Sequence, residues 1–393
     1  MPIAEKIRDF IGRASWIRRM FEEGRQLKAI YGAENVFDFS LGNPSLEPPP
    51  EFTKALIEAA QDNPPGCHVY MPNAGYPETC HAIAEYVSQE QGIKVPPNNV
   101  MMTCGAAGAL NVIFKTLLNS GEEAILLTPY FAEYYFYVDN SGEKPVLVPT
   151  ADDFSIDVAA VEQAMTPNTR AVLINSPNNP SGKVYSADNL KALADLLSRK
   201  SREYGKPVYL ISDEPYKKIV YDGVKVPPIF SLYPNSFIAD SYSKSLSLAG
   251  ERIGYLVAHP EIEKVEEIMG GFILCNRILG FVNAPALMQR VIPKVMGMVC
   301  DVNEYKRKRD LLCDGLADCG YQFYKPEGAF YLFPRSLMED DLQFVRELQK
   351  EKILTVPGSG FGTPGYFRIS YCVADETIMR AMEGFKAVAE KHL

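Results

Sequence analysis

The chain is predicted to be an α/β protein. A large domain with a mostly parallel seven-stranded sheet between helices is joined to a smaller α/β domain that includes the N-terminal arm. Two observations carry this. Short apolar runs alternate with helical patterns through the middle of the chain, as strands and crossover helices of a parallel sheet must. Breaks then bound that alternation. Pro44, Pro48, Pro49 and Pro50 interrupt the chain before it, and from about residue 284 a long helix and short elements replace it. The 393 residues suffice for a large core and a second, smaller one. The expected division is 1–45 for the arm and part of the small domain, 46–283 for the large domain and 284–393 for the small C-terminal domain.

The elements follow in order. The first residues, through Trp16, Ile17, Met20 and Phe21, pair apolar positions as a docked amphipathic arm does. Strands are expected at 100–103, 124–127, 145–148, 171–174, 208–211, 237–239 and 253–257. Helices fall between several of them, for example at 106–118 and 186–202. The latter opens on Ser186 as an N-cap with Asp188 in its first turn, complementing the positive end of the helix dipole. A long helix near 301–319 begins the C-terminal part. The strand order does not follow from propensity. No internal repeat or low-complexity segment is visible.

Composition excludes several classes. A formal net charge of −9 argues against a nucleic-acid surface and against attraction to anionic lipids, both of which need clustered Lys and Arg. No apolar stretch approaches a membrane span, and Glu5, Asp9, Glu22 and Glu23 make the start too acidic for a targeting helix. The eight cysteines form no CxxC pair, and the four histidines show no zinc-ligand spacing with them. Reduced thiols in a cytoplasmic protein without a structural metal are expected.

Chemistry concentrates in one run. Ser241, Ser243 and Lys244 are followed by Arg252, eight positions after the lysine, and by Gly254. An aldehyde cofactor bearing a phosphate needs such groups: an amine to condense with the aldehyde, hydroxyls and a guanidinium to hold the dianion. Arg252 suits the phosphate because its planar fork donates two parallel charge-assisted hydrogen bonds. A lone lysine in a serine-rich loop is ordinarily a solvated charge, so the weight rests on matching features elsewhere. Asp213 and Glu214 close an apolar strand, where a carboxylate can keep a pyridine nitrogen protonated; chemistry alone does not choose between them. Gly105, Ala106 and Ala107 open a helix directly after a strand and leave backbone N–H groups free at its positive end, a natural phosphate cradle. Gly105, Tyr130 and Phe131, Asn179 and Asp213 each come just after a different expected strand, where ligands of open α/β sheets bind.

The ordered set resembles the pyridoxal-phosphate aminotransferases of class I/II, the aspartate aminotransferase superfamily of fold type I. The resemblance runs from about residue 40 to 370. It selects Asp213 over Glu214 as partner of the ring nitrogen. It implies that Tyr216 bonds the cofactor's phenolic oxygen and that Asn179, rather than Asn178, donates to that oxygen and helps hold the substrate carboxylate. Phe131 matches the position whose ring stacks on the pyridine. Arg368 matches the arginine that grips the substrate α-carboxylate, and Gly42 the glycine whose backbone meets it. Tyr70 resembles a tyrosine that reaches the phosphate in a neighbouring subunit, which implies a homodimer with shared sites. Thr79 and Cys80 depart from the Leu-Arg of many relatives.

What the resemblance implies is ping-pong transamination between an L-amino acid and a 2-oxo acid, with Lys244 as proton carrier. Aspartate is preferred as donor on the resemblance alone. Against it, an acidic side chain needs a second cation, and Ala106-Ala107 stands where some acidic-substrate relatives supply a lysine. Arg18 or Arg19 could reach the substrate, though helix surface charge is the commoner role. Alternatives are alanine or aromatic donors, a β-lyase or decarboxylase on the same fold, and a cofactor-sensing regulator. The last is disfavoured because no basic DNA-binding helix accompanies the motifs.

Overall fold

The computed structural model describes residues 3–13, 15–140 and 142–393; the side chains of residues 12–21, Arg18 and Arg19 among them, lie outside the description. After a short strand β1 (Phe37–Asp38) come the seven strands of the main sheet. They are β2 (Val100–Thr103), β3 (Glu123–Thr128), β4 (Lys144–Pro149), β5 (Thr169–Asn175), β6 (Tyr209–Asp213), β7 (Ser236–Ser241) and β8 (Gly254–Ala258). Their spatial order is β2-β8-β7-β6-β5-β3-β4. All pairings are parallel except those of β8, which runs antiparallel to both β2 and β7. The seven expected strands are all present, each within two residues of its expected ends.

Most of these strands are buried on both faces, which is why they read as continuous apolar runs rather than alternating ones. One face of the sheet sends Met102, Ile125, Val172, Leu210, Ile238 and Val257 into a core shared with the helices Pro50–Gln61 and Ala187–Tyr204. The other sends Met101, Leu126, Leu173, Ile211, Phe237 and Leu256 against the helices Gly105–Leu117 and Val265–Ile278. Register does the sorting, since neighbours along a strand point to opposite faces. Ser186 caps its helix as expected, its side chain accepting from the backbone N–H of Asn189.

A separate core gathers Phe39, Tyr305, Leu312, Phe344, Ile353, Phe367 and Phe385. The helices Val302–Asp318, Asp341–Lys350 and Asp375–His392 surround it, with β9 (Tyr331–Leu332), β10 (Ile353–Leu354), β11 (Val356–Pro357) and β12 (Phe367–Ser370). Strand β1 pairs with β10, tying the N-terminal segment to this core. The arm itself forms the helices Glu5–Arg13 and Ser15–Tyr31. The second holds to the small core, Glu23 accepting from Gln349 and Lys28 pairing with Asp38 at 2.7 Å. The first reaches elsewhere: Phe10 packs on Tyr135 and Phe136, and Lys6 pairs with Asp139.

The topology decides where chemistry can sit. The ends of β2, β3, β5, β6 and β7 all open on one edge of the sheet. Because β8 runs the other way, the segment that enters it, carrying Arg252, lands on that same edge.

Candidate active site

That edge borders a cavity of about 350 Å³ between the sheet and the smaller core. Lys244 lies in the short helix Tyr242–Ser245 that follows β7, and its Nζ donates to the carbonyl of Gly42 at 2.8 Å. Burial pulls the amine down to about 8, helped by Arg368 and Arg252 and opposed by Cys372. A lysine so placed is a base and nucleophile near neutral pH, whereas an exposed one is not.

Asp213 ends β6 and is buried. Its Oδ2 accepts from the phenol of Tyr134, while its Oδ1 is buried with no hydrogen-bond partner. Burial pushes this carboxyl up to about 7; the Tyr134 bond works against that and Glu214 with it. Asn175 fixes the local backbone twice, donating to the carbonyl of Asp213 at 2.9 Å and accepting from the N–H of Asn179 at 2.8 Å.

Arg368, on β12, lies over the ring of Phe361 at 4.7 Å and has three further contacts. It donates to Asn179 Oδ1 at 3.1 Å and to the carbonyl of Ser40 at 2.7 Å, and lies over the ring of Tyr331 at 4.7 Å. Its Nε is buried without a partner. Tyr331 shares a hydrogen bond of 2.9 Å with Tyr216. Arg252 anchors itself through the carbonyls of Ala249 at 3.1 Å and Cys104 at 3.4 Å. Gly105, at φ +73°, sits so close to it that a Cβ there would stand 2.9 Å from Arg252 Nη2.

The cavity is lined by Gly42, Ala106, Ala107, Phe131, Asn179, Asp213, Tyr216, Ser241, Ser243, Lys244, Arg252 and Arg368, so the residues singled out in sequence meet in space. Gly105 stands directly behind it against Arg252. Tyr70 does not join them: it is 88% exposed and borders a separate surface hollow with His68, Phe281 and Asn283. Among the lining residues that escaped the sequence reading are Glu133, Tyr134, Tyr137 and Tyr331. Glu133 and Tyr134 follow Phe131 in an aromatic run just past the end of β3, a position that marks them in hindsight. Tyr331 carried no signal beyond its aromatic character.

The class I and II aminotransferase family matches residues 34–385. The chain belongs to that family. Among curated relatives it is 32% identical over 371 residues to a probable aspartate/prephenate aminotransferase of Aquifex aeolicus, covering 91% of this chain and 92% of the relative. It is 34% identical over 398 residues to the aromatic-amino-acid aminotransferase 2 of Thermococcus litoralis, covering 96% and 97%. Among solved structures, an aminotransferase from Eubacterium rectale superposes with a TM-score of 0.96 at 42% identity, over 100% of this chain and 99% of that one. The protein is therefore an aminotransferase, an enzyme that moves an amino group between amino and 2-oxo acids. Among its described residues no helix is long and apolar enough to cross a membrane.

Proposed function

We propose that this aminotransferase holds pyridoxal 5′-phosphate at Lys244 and uses it to exchange the amino group of L-aspartate with a 2-oxo acid in ping-pong order. The observation that carries the cofactor assignment is the meeting of a buried lysine of lowered basicity, an unpartnered carboxylate oxygen and an arginine in one cavity. The donor set fits the group. Lys244 supplies the amine and Asp213 Oδ1 an acceptor for a ring N–H. Ser241, Ser243, Arg252 and the N–H groups at the start of the helix Gly105–Leu117 supply donors for a phosphate. When bound, the cofactor's protonated ring accepts the electrons released as the substrate Cα–H bond breaks.

The chain's own part is binding and proton transfer. Arg368 and Asn179 hold the α-carboxylate, together with the backbone at Gly42, and so orient the substrate Cα–H bond. Lys244, once free, takes the Cα proton and returns it as general base and acid. With a cationic ring nitrogen bound beside it, Asp213 would stay ionised, because an opposite charge would outweigh the burial that otherwise lifts it. Phe131 would stack on the bound ring and Tyr216 would donate to its phenolic oxygen. The exposure of Tyr70 supports a homodimer in which it completes the partner's site. Eight free cysteines support a cytoplasmic setting. Aspartate as donor is supported by the names of relatives such as that of Aquifex aeolicus.

The test is an absorbance spectrum of cofactor-loaded protein before and after L-aspartate. Loss of the lysine-bound cofactor band with gain of the aminated cofactor band supports the donor assignment. A band that ignores aspartate but answers to alanine or aromatic amino acids moves the donor and keeps the cofactor. No band after loading with pyridoxal phosphate removes the central role of Lys244.

A further inference from the structure

Glu133 opens the helix Glu133–Asp139, two residues after Phe131, and lines the cavity with Tyr134, Tyr137, Tyr331 and Arg368. Its Oε2 is buried with no hydrogen-bond partner, and among the described residues no lysine or arginine forms an ion pair with it. The cations lining the cavity, among the described residues, are Lys244, Arg252 and Arg368. The reading above commits each of them, to the cofactor aldehyde, the phosphate and the α-carboxylate. An acidic donor brings a second carboxylate, and among the described residues lining the cavity no further cation is left for it.

Glu133 supplies the missing donor by another route. A carboxyl oxygen buried without a partner favours the protonated acid, because the ionised form loses hydration there that nothing replaces. The neutral acid is a hydrogen-bond donor, and O–H to carboxylate is among the stronger hydrogen bonds. Two carboxyls sharing one proton is a known solution when like charges must lie together. We infer that Glu133 is a specificity-determining residue whose protonated carboxyl donates to the side-chain carboxylate of a dicarboxylic substrate, so that above the pH at which Glu133 ionises in the free enzyme such a substrate binds with uptake of a proton. This rests on the acidic-donor reading of the same site.

The groups that face Glu133 allow it. Burial raises its carboxyl above the ordinary range, while its own backbone N–H and Arg368 pull it down. A substrate α-carboxylate on Arg368 neutralises that cation and leaves the proton held more firmly. Tyr331, from β9, is pushed up to about 12 by burial, and Tyr137, on the same helix as Glu133, is raised further. Neither titrates at neutral or mildly alkaline pH, and the guanidinium of Arg368 stays charged.

The experiment is calorimetry on the cofactor-loaded protein, with succinate as dicarboxylate and butyrate as monocarboxylate. Each is run in two buffers of different ionisation enthalpy, from neutral to alkaline pH. Succinate is expected to take up roughly one proton above the Glu133 ionisation, with its Kd rising about tenfold per pH unit there. Butyrate is expected to do neither, which separates Glu133 from the α-carboxylate site. In Glu133→Gln the amide N–H replaces the O–H, so succinate should bind without proton uptake and with a flat Kd. Succinate binding in the unaltered enzyme with no proton uptake at any pH from neutral to alkaline overturns the inference. If L-aspartate still converts the cofactor band, the donor reading survives that result. Failure to bind succinate while butyrate binds, with aspartate leaving the band unchanged, overturns both.

Discussion

The phenol of Tyr134 donates its hydrogen bond to Oδ2 of Asp213, and the other oxygen of that buried carboxyl, Oδ1, has no partner. One oxygen is thus fixed by the protein while the second is left for a ligand. The bond also favours the ionised form, opposing the burial that pushes Asp213 up to about 7.

Tyr134→Phe removes that donor without changing the ring. A hydrogen bond to a charged group contributes about 1.5–3 kcal/mol, so cofactor affinity should fall roughly 10- to 100-fold. The loss should be greatest at low pH, where Asp213 without its donor is protonated most readily. Fluorescence titration of cofactor into the variant across pH reads both. An unchanged affinity would mean that Tyr134 only packs.

Lys244 is costly to the fold without its cofactor. Its amine falls from 10.5 to about 8 on folding, so between those values the unfolded chain binds more protons and stability rises with pH. Below the lower value the full cost, on the order of 3 kcal/mol, is present. Lys244→Met should therefore raise the melting temperature of the cofactor-free protein at neutral pH and lose that advantage in strongly alkaline solution. The same change should lower turnover by at least roughly 10²–10⁴-fold, since no other proton carrier replaces the amine. Thermal melts at the two pH values and a steady-state assay check the pair of effects. Stabilisation that persists unchanged at high pH would point to packing instead of charge.

Much of this could be read from sequence, for identifiable reasons. The strands were legible because a sheet covered on both faces needs unbroken apolar runs such as Ala124 to Leu127. The cavity residues Ser241, Lys244 and Arg252 were legible because the phosphate and aldehyde chemistry proposed for them demands particular groups. Strand order was not, since neither face of β8 reveals that it runs antiparallel between β2 and β7. Tyr134 and Tyr331 were hidden because a buried aromatic reads as core until its hydroxyl partner is seen. Glu133 was hidden because an acid at a helix start ordinarily complements the dipole. Only the cavity shows that its oxygen lacks a partner.

Arg368→Lys keeps the charge but not the fork. The arginine reaches Asn179 and Ser40 with different nitrogens and leaves Nε free. A lysine cannot satisfy both anchors and also grip a carboxylate at two points. KM for amino and 2-oxo acids alike should rise about 10- to 100-fold, the range for losing a charge-assisted hydrogen bond. Cofactor affinity should change little, because Arg252 and the serines are the proposed phosphate donors. Kinetics with two donors and a cofactor titration separate the effects. An equal loss of cofactor affinity would place Arg368 at the wrong end of the site.

Gly42 shows how tightly the substrate end is built. A Cβ on this residue would stand 1.8 Å from Tyr331 Oη and 2.5 Å from its Cζ, a clash no rotamer adjustment at residue 42 relieves. Tyr331 must move, and with it the bond to Tyr216 and the ring under Arg368. The carbonyl of Gly42, acceptor for Lys244 Nζ, shifts as well. Gly42→Ala should thus cost about 1–3 kcal/mol of stability, the range for overpacking a dense region. It should also raise KM, since Arg368 loses one of the two rings it lies against. Tyr331→Phe alone removes the hydroxyl pair but not the ring. In the double variant the worst contact disappears, so its stability should exceed the sum of the two single losses by about 0.5 kcal/mol or more. Denaturant unfolding of the four proteins measures that coupling. Strict additivity would show that Gly42 is small for a reason other than Tyr331.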